Sequence, residues 1–193
     1  ESPYKSPTDM GVNMAGNCIC DDEACREASK QEIIRRYFDA LNALAKGSTS
    51  EKEAQKIELL MNMAGITVTD RKVVIKALER AKETDGPAAA LELRDGRIIT
   101  GKTTNLLGAS AALLLNVLKV LAGIDHETHI ISPESIEPIQ KLKVDYLKSK
   151  NPRLHTDEVL IALSASAATN PQARLALSQL PELAGCQAHT SVM

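Results

Sequence analysis

A short segment near the C-terminus places a thiol beside an imidazole. Cys186 and His189 are separated by two residues, and a nearby imidazolium can stabilise a thiolate and so create a nucleophile. The same segment is expected to form a strand, in which residues i and i+3 face opposite sides of the sheet. The catalytic interpretation therefore competes with a simpler one, a small buried Cys next to a hydrogen-bonded His.

A second candidate lies at a predicted helix start. His155 could act as a proton carrier facing a ligand, and Asp157 two residues later could contact that ligand. The alternative is helix capping, in which Thr156 caps the helix and the acids Asp157 and Glu158 interact favourably with the helix dipole. Capping is the favoured interpretation of this segment.

The N-terminal residues supply a third group. Thr8, Asp9 and Asn13 lie in a polar segment punctuated by Gly, of the kind that can present side chains to a ligand; an interdomain turn is the alternative. Three cysteines follow, but a C-x-C spacing does not fit a structural zinc site. We therefore predict no metal site and assign no cofactor. The cysteines at positions 18, 20, 25 and 186 are expected to be free thiols of a reducing cytosol.

Residues 96–103, GRIITGKT, match the pattern G-x-x-x-x-G-K-[ST] of a phosphate-binding loop. In such a loop the backbone amides curl around phosphate, and Lys102 would contact the ligand. Two features favour a β-hairpin instead. Asp95-Gly96 is typical of a type I′ turn, and residues 98–100 are β-branched and prefer an extended strand. ATP binding here is the less favoured alternative.

The surrounding hydrophobic periodicity predicts a mainly helical chain. A small sheet is expected in the second half, in which the segment after Cys186 returns beside the hairpin. The helix at about Asn105–Ala122 is apolar nearly all round, which is typical of the middle of a domain or a subunit interface. Other helices are expected at about Asp22–Lys46, Ser50–Gly65 (with Ser50 and Glu53 as a capping box), Asp70–Thr84, and from Ser132, Thr156 and Asn170 onward.

These elements predict an α+β fold, predominantly helical. A helical N-terminal half is followed by a small sheet, a hairpin plus a returning strand, packed with helices rich in Ala and Leu. The expected organisation is a linker from a preceding domain at 1–21, a helical subdomain at 22–86 and an α/β subdomain at 87–193. The ends at Glu1 and Met193 suggest a piece of a longer protein.

The composition of the chain limits the kinds of partner that it is expected to bind. The 193 residues carry a net charge of −2 with acids and bases interspersed, and only 2% of them are aromatic. A nucleic-acid groove or an anionic membrane surface needs a concentrated basic face, so neither is expected as a partner. The longest apolar stretch is too short to span a bilayer, and no secretory leader is visible. We expect a cytoplasmic protein.

Several motifs in the sequence are long enough to be specific. They are Tyr4–Gly16, Glu27–Tyr37, Asp95–Thr103, Asn151–Leu163, Ala167–Pro171 and Gly185–Val192. Together they resemble one bacterial group, domain-of-unknown-function family 1846, also called uncharacterised protein family 0371. The resemblance covers essentially the whole chain. It implies that the chain is the C-terminal portion of a considerably longer cytoplasmic protein, and it carries over no catalytic residues.

Two functional hypotheses follow, and whether the protein is an enzyme stays open between them. In the first, the chain is half of a small-molecule-binding enzyme whose ligand lies between this piece and a preceding domain. In the second, it is a structural or oligomerisation module in which helix 105–122 packs against a second copy. We expect a homo-oligomer with a small-molecule ligand. The first hypothesis draws its polar groups from Thr8, Asp9, Asn13, His155, Cys186 and His189.

Overall fold

The computed structural model describes residues 21–191. The chain forms two compact units, divided between Arg71 and Lys72. The candidate residues Thr8, Asp9 and Asn13 lie outside the described residues, as do the cysteines at 18 and 20 and nearly all of the linker expected at 1–21.

The first unit is a pair of helices closed by a short turn. Helix α1 spans Asp22–Ala45, helix α2 spans Glu51–Ala64, and a 3-10 turn follows at Val68–Asp70. Their apolar faces meet in a small core of Ile34, Met61 and Ile66. Gly65 ends α2 in the left-handed conformation, at φ 64°, as its position in the sequence indicates.

The predicted capping box at the start of α2 is wrong. Ser50 is the N-cap residue, but its side chain makes no capping hydrogen bond. The backbone N–H of Glu53, which that side chain would have bound, instead donates to the carbonyl oxygen of Ser50 at 3.2 Å. The first turn is therefore closed by a tight i to i+3 backbone bond.

The second unit contains a three-stranded antiparallel sheet, as predicted. Strand β1 spans Ala88–Glu92, β2 spans Ile98–Lys102 and β3 spans Gln187–Thr190, in the order β2-β1-β3. β1 is thus the central strand, and the C-terminal segment returns beside the hairpin. The remaining helices are α3 (Lys72–Thr84), α4 (Ala109–Leu121), α5 (Pro133–Lys141), α6 (Thr156–Ser166) and α7 (Pro171–Leu177), with a π-helical segment at Leu142–Tyr146 and a 3-10 turn at Leu180–Leu183. The α+β, predominantly helical fold class is confirmed.

The hairpin turn differs from the predicted type I′ turn. Only Gly96 has a positive φ, 83°, whereas Asp95 does not. The loop has three residues, because Leu93 N donates to Arg97 O at 2.8 Å and Gly96 N donates to Leu93 O at 2.9 Å. Asp95 keeps its ordinary backbone conformation and accepts hydrogen bonds from the backbone and side chain of Arg97. A three-residue loop needs one left-handed residue rather than two.

Two helices cover opposite faces of the sheet. Val73 and Ala77 of α3 pack against Ala90, and the other face of the sheet packs against Leu113 and Val117 of α4. The sequence grouped α3 with the helices before it, but its buried face lies on the strands and therefore in the second unit. The division into 1–21, 22–86 and 87–193 stays a prediction.

Helix α4 lies at the centre of the second unit. One side packs on the sheet, and another joins a larger core that includes Leu118, Leu154 and Leu163. This double burial explains why the helix is apolar nearly all round. It begins at Ala109 rather than at the predicted Asn105, because the residues before it form a loop that is bonded to another part of the chain. Within the described residues no helix is both long and apolar enough to cross a bilayer.

Candidate functional site

The loop before α4, residues 103–108, is held in place by hydrogen bonds and forms one wall of a cavity. Leu154 N donates to Leu106 O at 2.9 Å, and Gly108 N donates to Leu154 O at 3.1 Å. Arg153 Nε donates to the carbonyl oxygen of Thr104 at 2.7 Å. The Thr104 hydroxyl accepts bonds from the backbone amides of Leu106 and of the residue after it, at 3.2 and 3.0 Å. These bonds satisfy the polar backbone of the loop and fix its position.

A second wall follows α4. The segment 122–132 connects α4 to α5, and hydrogen bonds from Lys119 hold it against the helix. The Lys119 ammonium donates to the carbonyl oxygens of His126 and Thr128, at 2.5 and 3.0 Å. A protonated Lys has three donors, so two of them hold this segment and the third is available to another acceptor.

A cavity of about 540 Å³ lies between these walls and the outer edge of β2. Its inner part is apolar, formed by side chains that include Leu106, Leu115 and Ile136. Its polar part is basic: three cationic side chains line it together with two imidazoles, and no carboxylate does so among the described residues. The basic residues are Arg80, Lys102, Lys119, His126 and His129.

Two of these cations, Lys119 and Arg80, are partly buried, and the described residues offset the cost of that burial only in part. Burial lowers the pKa of Lys119 below its ordinary value, although the negative charges of Glu127 and Asp125 oppose this effect. The Nε of Arg80 is buried, and no described atom accepts its hydrogen, while its Nη1 is paired with Glu83 at 3.0 Å. A buried donor without an acceptor costs free energy, so both cations favour an anionic partner.

The outer edge of β2 presents backbone donors to the cavity. Thr103 N donates to Pro87 O at 2.9 Å, and N–H groups alternate in direction along an antiparallel strand. The amides of Thr100 and Lys102 therefore point away from β1. The Asn116 amide confirms this direction, because its Nδ2 donates to Thr100 O at 2.9 Å from the α4 side.

Of the sequence candidates that the structure describes, Lys102 alone lines this cavity. Lys102 lines it, but not in the way the motif suggested, since 98–102 form a strand rather than a curled phosphate loop. Cys186 packs with the sheet face that contacts α4, and its thiol donates to Glu182 O at 3.5 Å. His189 is paired with Ala90, whose side chain packs on the α3 face. The thiol and imidazole thus face opposite sides of the sheet, and a catalytic role for them stays a prediction.

His155 and Asp157 lie at the start of α6, where both are exposed. His155, not the predicted Thr156, is the N-cap residue. Its backbone N–H donates to Glu158 Oε2 at 2.7 Å, which satisfies one of the free amides at the helix start. Its ring lies 3.3 Å from the Asn151 amide. The ligand roles predicted for His155 and Asp157 are not tested by this arrangement.

One feature of the sequence indicates this cavity although it belongs to none of the motifs. Apart from Ser110 in its first turn, the polar residues of α4 are Asn116 and Lys119, and their i and i+3 spacing places both on one face. Such a pair in a buried helix needs polar partners or a ligand. Arg80 carries no comparable signal, because its position beside β2 depends on how α3 packs on the sheet.

A second, smaller cavity of about 440 Å³ lies between α5 and α6. It is lined by hydroxyls and carries no charge, and several of its polar groups are already bonded within the chain. The hydroxyl oxygens of Ser132 and Ser135 lie 3.1 Å apart, within hydrogen-bond distance. The Ser166 hydroxyl donates to Ala162 O, and the Asn170 side chain caps α7. It offers less to a ligand than the basic cavity. In the described part of the chain, no three His, Cys, Asp or Glu side chains are grouped to hold a metal ion.

Comparison with known proteins gives two matching family descriptions. Residues 69–193 match "Domain of unknown function DUF1846, C-terminal" and residues 1–65 match "Domain of unknown function DUF1846, N-terminal". A UPF0371 protein of Corynebacterium aurimucosum is 62% identical over 99% of this chain, and one of Streptococcus thermophilus is 53% identical over the whole of this chain. The chain spans 38% and 39% of the length of these two relatives.

Proposed function

The chain belongs to the DUF1846 (UPF0371) family, and we propose that the basic cavity of its second unit binds a small anionic molecule that also carries an apolar portion. The observation that carries this proposal is the charge of the lining. Arg80, Lys102 and Lys119 meet around a largely apolar space without a carboxylate among the described lining residues. Of these, Arg80 and Lys119 are partly buried, and burial makes a nearby opposite charge favourable. A bound anion would supply it to Lys119 and would add to the charge that Glu83 already gives Arg80.

The size of the cavity supports the same proposal. Its volume of about 540 Å³ lies within the range of pockets that hold cofactors and metabolites. The apolar inner wall would hold the body of the ligand, and the basic rim would orient its charged end. We place this activity in the cytoplasm, since Cys25 and Cys186 are free thiols. In the full-length protein, a preceding domain would then close over the ligand, as the first sequence hypothesis requires.

The oligomerisation hypothesis receives less support from α4. Seven residues of this helix are buried by other parts of the same chain, which leaves little of its apolar surface for a second copy. A homo-oligomer stays a proposal, and it would use a different surface.

Binding of 1-anilinonaphthalene-8-sulfonate, an amphipathic anion, tests the proposal. Ala112 lines the cavity, whereas Ser110, another small residue of the same helix, is exposed and lies outside it. We expect Ala112→Leu to fill part of the cavity and weaken binding of the dye by about tenfold, equivalent to about 1.4 kcal/mol. The control variant Ser110→Leu should bind as tightly as the unchanged chain. Fluorescence titration measures both, with far-UV circular dichroism to confirm that each variant is folded.

The dye also binds partly folded chains, so a second variant is needed. Lys119→Gln removes a charge from the cavity without enlarging any side chain, and it should weaken dye binding as well. If neither variant changes the affinity while both remain folded, the dye binds elsewhere and the proposal fails.

A further inference from the structure

We infer that the anionic group recognised by this cavity is a phosphate, bound at the outer edge of β2 by Arg80, Thr100 and Lys102. This inference rests on the proposed function and assigns the end of the cavity that holds the charge. It also names the chemical class of the ligand, a phosphate monoester with an apolar body.

The geometry places these three residues on one face of the sheet. Thr100 is paired with Ala90, and the side chain of Ala90 packs on α3, the helix that carries Arg80. Thr100 and Lys102 are two residues apart in a strand, so their side chains share that face. All three residues line the same cavity.

Arg80, the Thr100 amide and Lys102 give this end of the cavity three hydrogen-bonding groups. These suit the three terminal oxygens of a phosphate better than the two oxygens of a carboxylate. The Arg80 side chain lines the cavity, and its Nη1 is paired with Glu83 at 3.0 Å. Its Nε–H has no acceptor among the described atoms and is itself covered, so a phosphate would reach it through a turn of the side chain. The Thr100 N–H points outward from the edge strand, and the Lys102 ammonium lies on an exposed side chain beside it. A phosphate monoester offers three terminal oxygens and nearly two negative charges near neutral pH. Charge-assisted bonds to such oxygens are about twice as strong as neutral ones.

This arrangement is distinct from a phosphate-binding loop, although it shares residues with the loop-like sequence. A phosphate loop needs successive amides that point inward at the phosphates. In strand β2 every second amide, including that of Gly101, points to β1 and cannot bind a phosphate. Gly101 also packs against α4. Recognition would instead depend on an outward amide and on Arg80, which lies outside the motif altogether.

Displacement of the bound dye by three matched compounds tests the inference. Phenyl phosphate, benzoate and phenol share an aromatic ring and differ in their charged group. We expect phenyl phosphate to displace the dye at a concentration about tenfold lower than benzoate, and phenol to displace it least. Because every comparison is a ratio between compounds on one protein, a change in dye affinity does not affect it.

Two variants and a control locate the phosphate. Arg80→Gln should bring the ratio between phenyl phosphate and benzoate to about one, and Lys102→Gln, at an exposed position, should lower it about fivefold. Lys82→Gln removes the same charge from an exposed site on α3 that does not line the cavity, and it should leave the ratio unchanged.

Equal displacement by phenyl phosphate and benzoate overturns the inference, and so does a preference for phosphate that survives both Arg80→Gln and Lys102→Gln. In either case the proposed function stands if the dye still responds to Ala112→Leu. If neither Ala112→Leu nor Lys119→Gln changes the affinity for the dye, the proposed function itself fails. The failure of the proposed function and the failure of the phosphate inference can therefore be distinguished.

Discussion

Gly101 lies at a point of very close approach between strand β2 and the central helix α4. A Cβ atom placed at Gly101 would lie 2.2 Å from Leu113 N and 2.5 Å from Leu113 Cα. Both are backbone atoms, which cannot move without displacing α4. The glycine in the sequence GKT is therefore required by packing between β2 and α4, and not by a loop around phosphate.

Substitution of this glycine gives a prediction at the residue scale. Gly101→Ala should lower the free energy of unfolding by about 3 kcal/mol, because overpacking of this severity forces a shift in the backbone. Gly86→Ala is the matched control, since its added Cβ would meet only Thr84 O at an ordinary 3.7 Å. Urea unfolding followed by far-UV circular dichroism measures both. Equal stability of Gly101→Ala and the unchanged chain would contradict the close approach.

Individual residues of the hairpin and the cavity show which features could be predicted from the sequence and which could not. β-Branching at 98–100 and the left-handed Gly96 were enough to predict the hairpin, because both effects are local. The type of its turn was not predictable, since Asp95-Gly96 is compatible with loops of two or three residues. The cavity was harder still, because Arg80 and Lys102 are brought together only by the packing of α3 on the sheet.

At the scale of elements, a partly buried ion pair joins the π-helical segment to α6. The Lys143 ammonium donates to Glu158 Oε2 at 2.8 Å and to Arg153 O at 2.7 Å. Burial alone would raise the pKa of Glu158, but hydrogen bonds from Lys143 and from the His155 backbone, with the nearby positive charges, lower it below its ordinary value of 4.5. The same bonds hold residues 153–155, which anchor the wall of the cavity.

This ion pair predicts a stability that depends on pH. Since the pKa of Glu158 is lower in the folded chain, its contribution is complete above the ordinary value of 4.5 and is lost as the pH falls through the folded value. Glu158→Gln should cost about 2 kcal/mol at neutral pH, because Lys143 is left buried without its counter-charge. The difference from the unchanged chain should shrink in acid.

Asp157→Asn is the control for that measurement. Asp157 is the neighbouring acid in the first turn of α6 and is exposed, so its substitution should cost at most about 0.5 kcal/mol. Urea unfolding across a series of pH values compares the two variants. A loss for Glu158→Gln that is the same at acid and neutral pH would show that shape rather than charge is responsible.

At the scale of the whole molecule, the family and the class of fold were predictable and the site was not. Long sequence motifs identify the family, and hydrophobic periodicity identifies most helices. The returning strand β3 was predicted correctly although it pairs with β1 from a distant part of the sequence. The chain covers about two fifths of the length of its relatives, so the reaction of the full-length protein, its partners and its oligomeric state stay proposals.

A crystal structure of the chain soaked with phenyl phosphate would show where the phosphate binds. We expect phosphate density at the outer edge of β2, within hydrogen-bond distance of the Arg80 guanidinium and Lys102 Nζ, with the ring against Leu106 or Ile130. Density for the compound at another place, with the basic cavity empty, would contradict it.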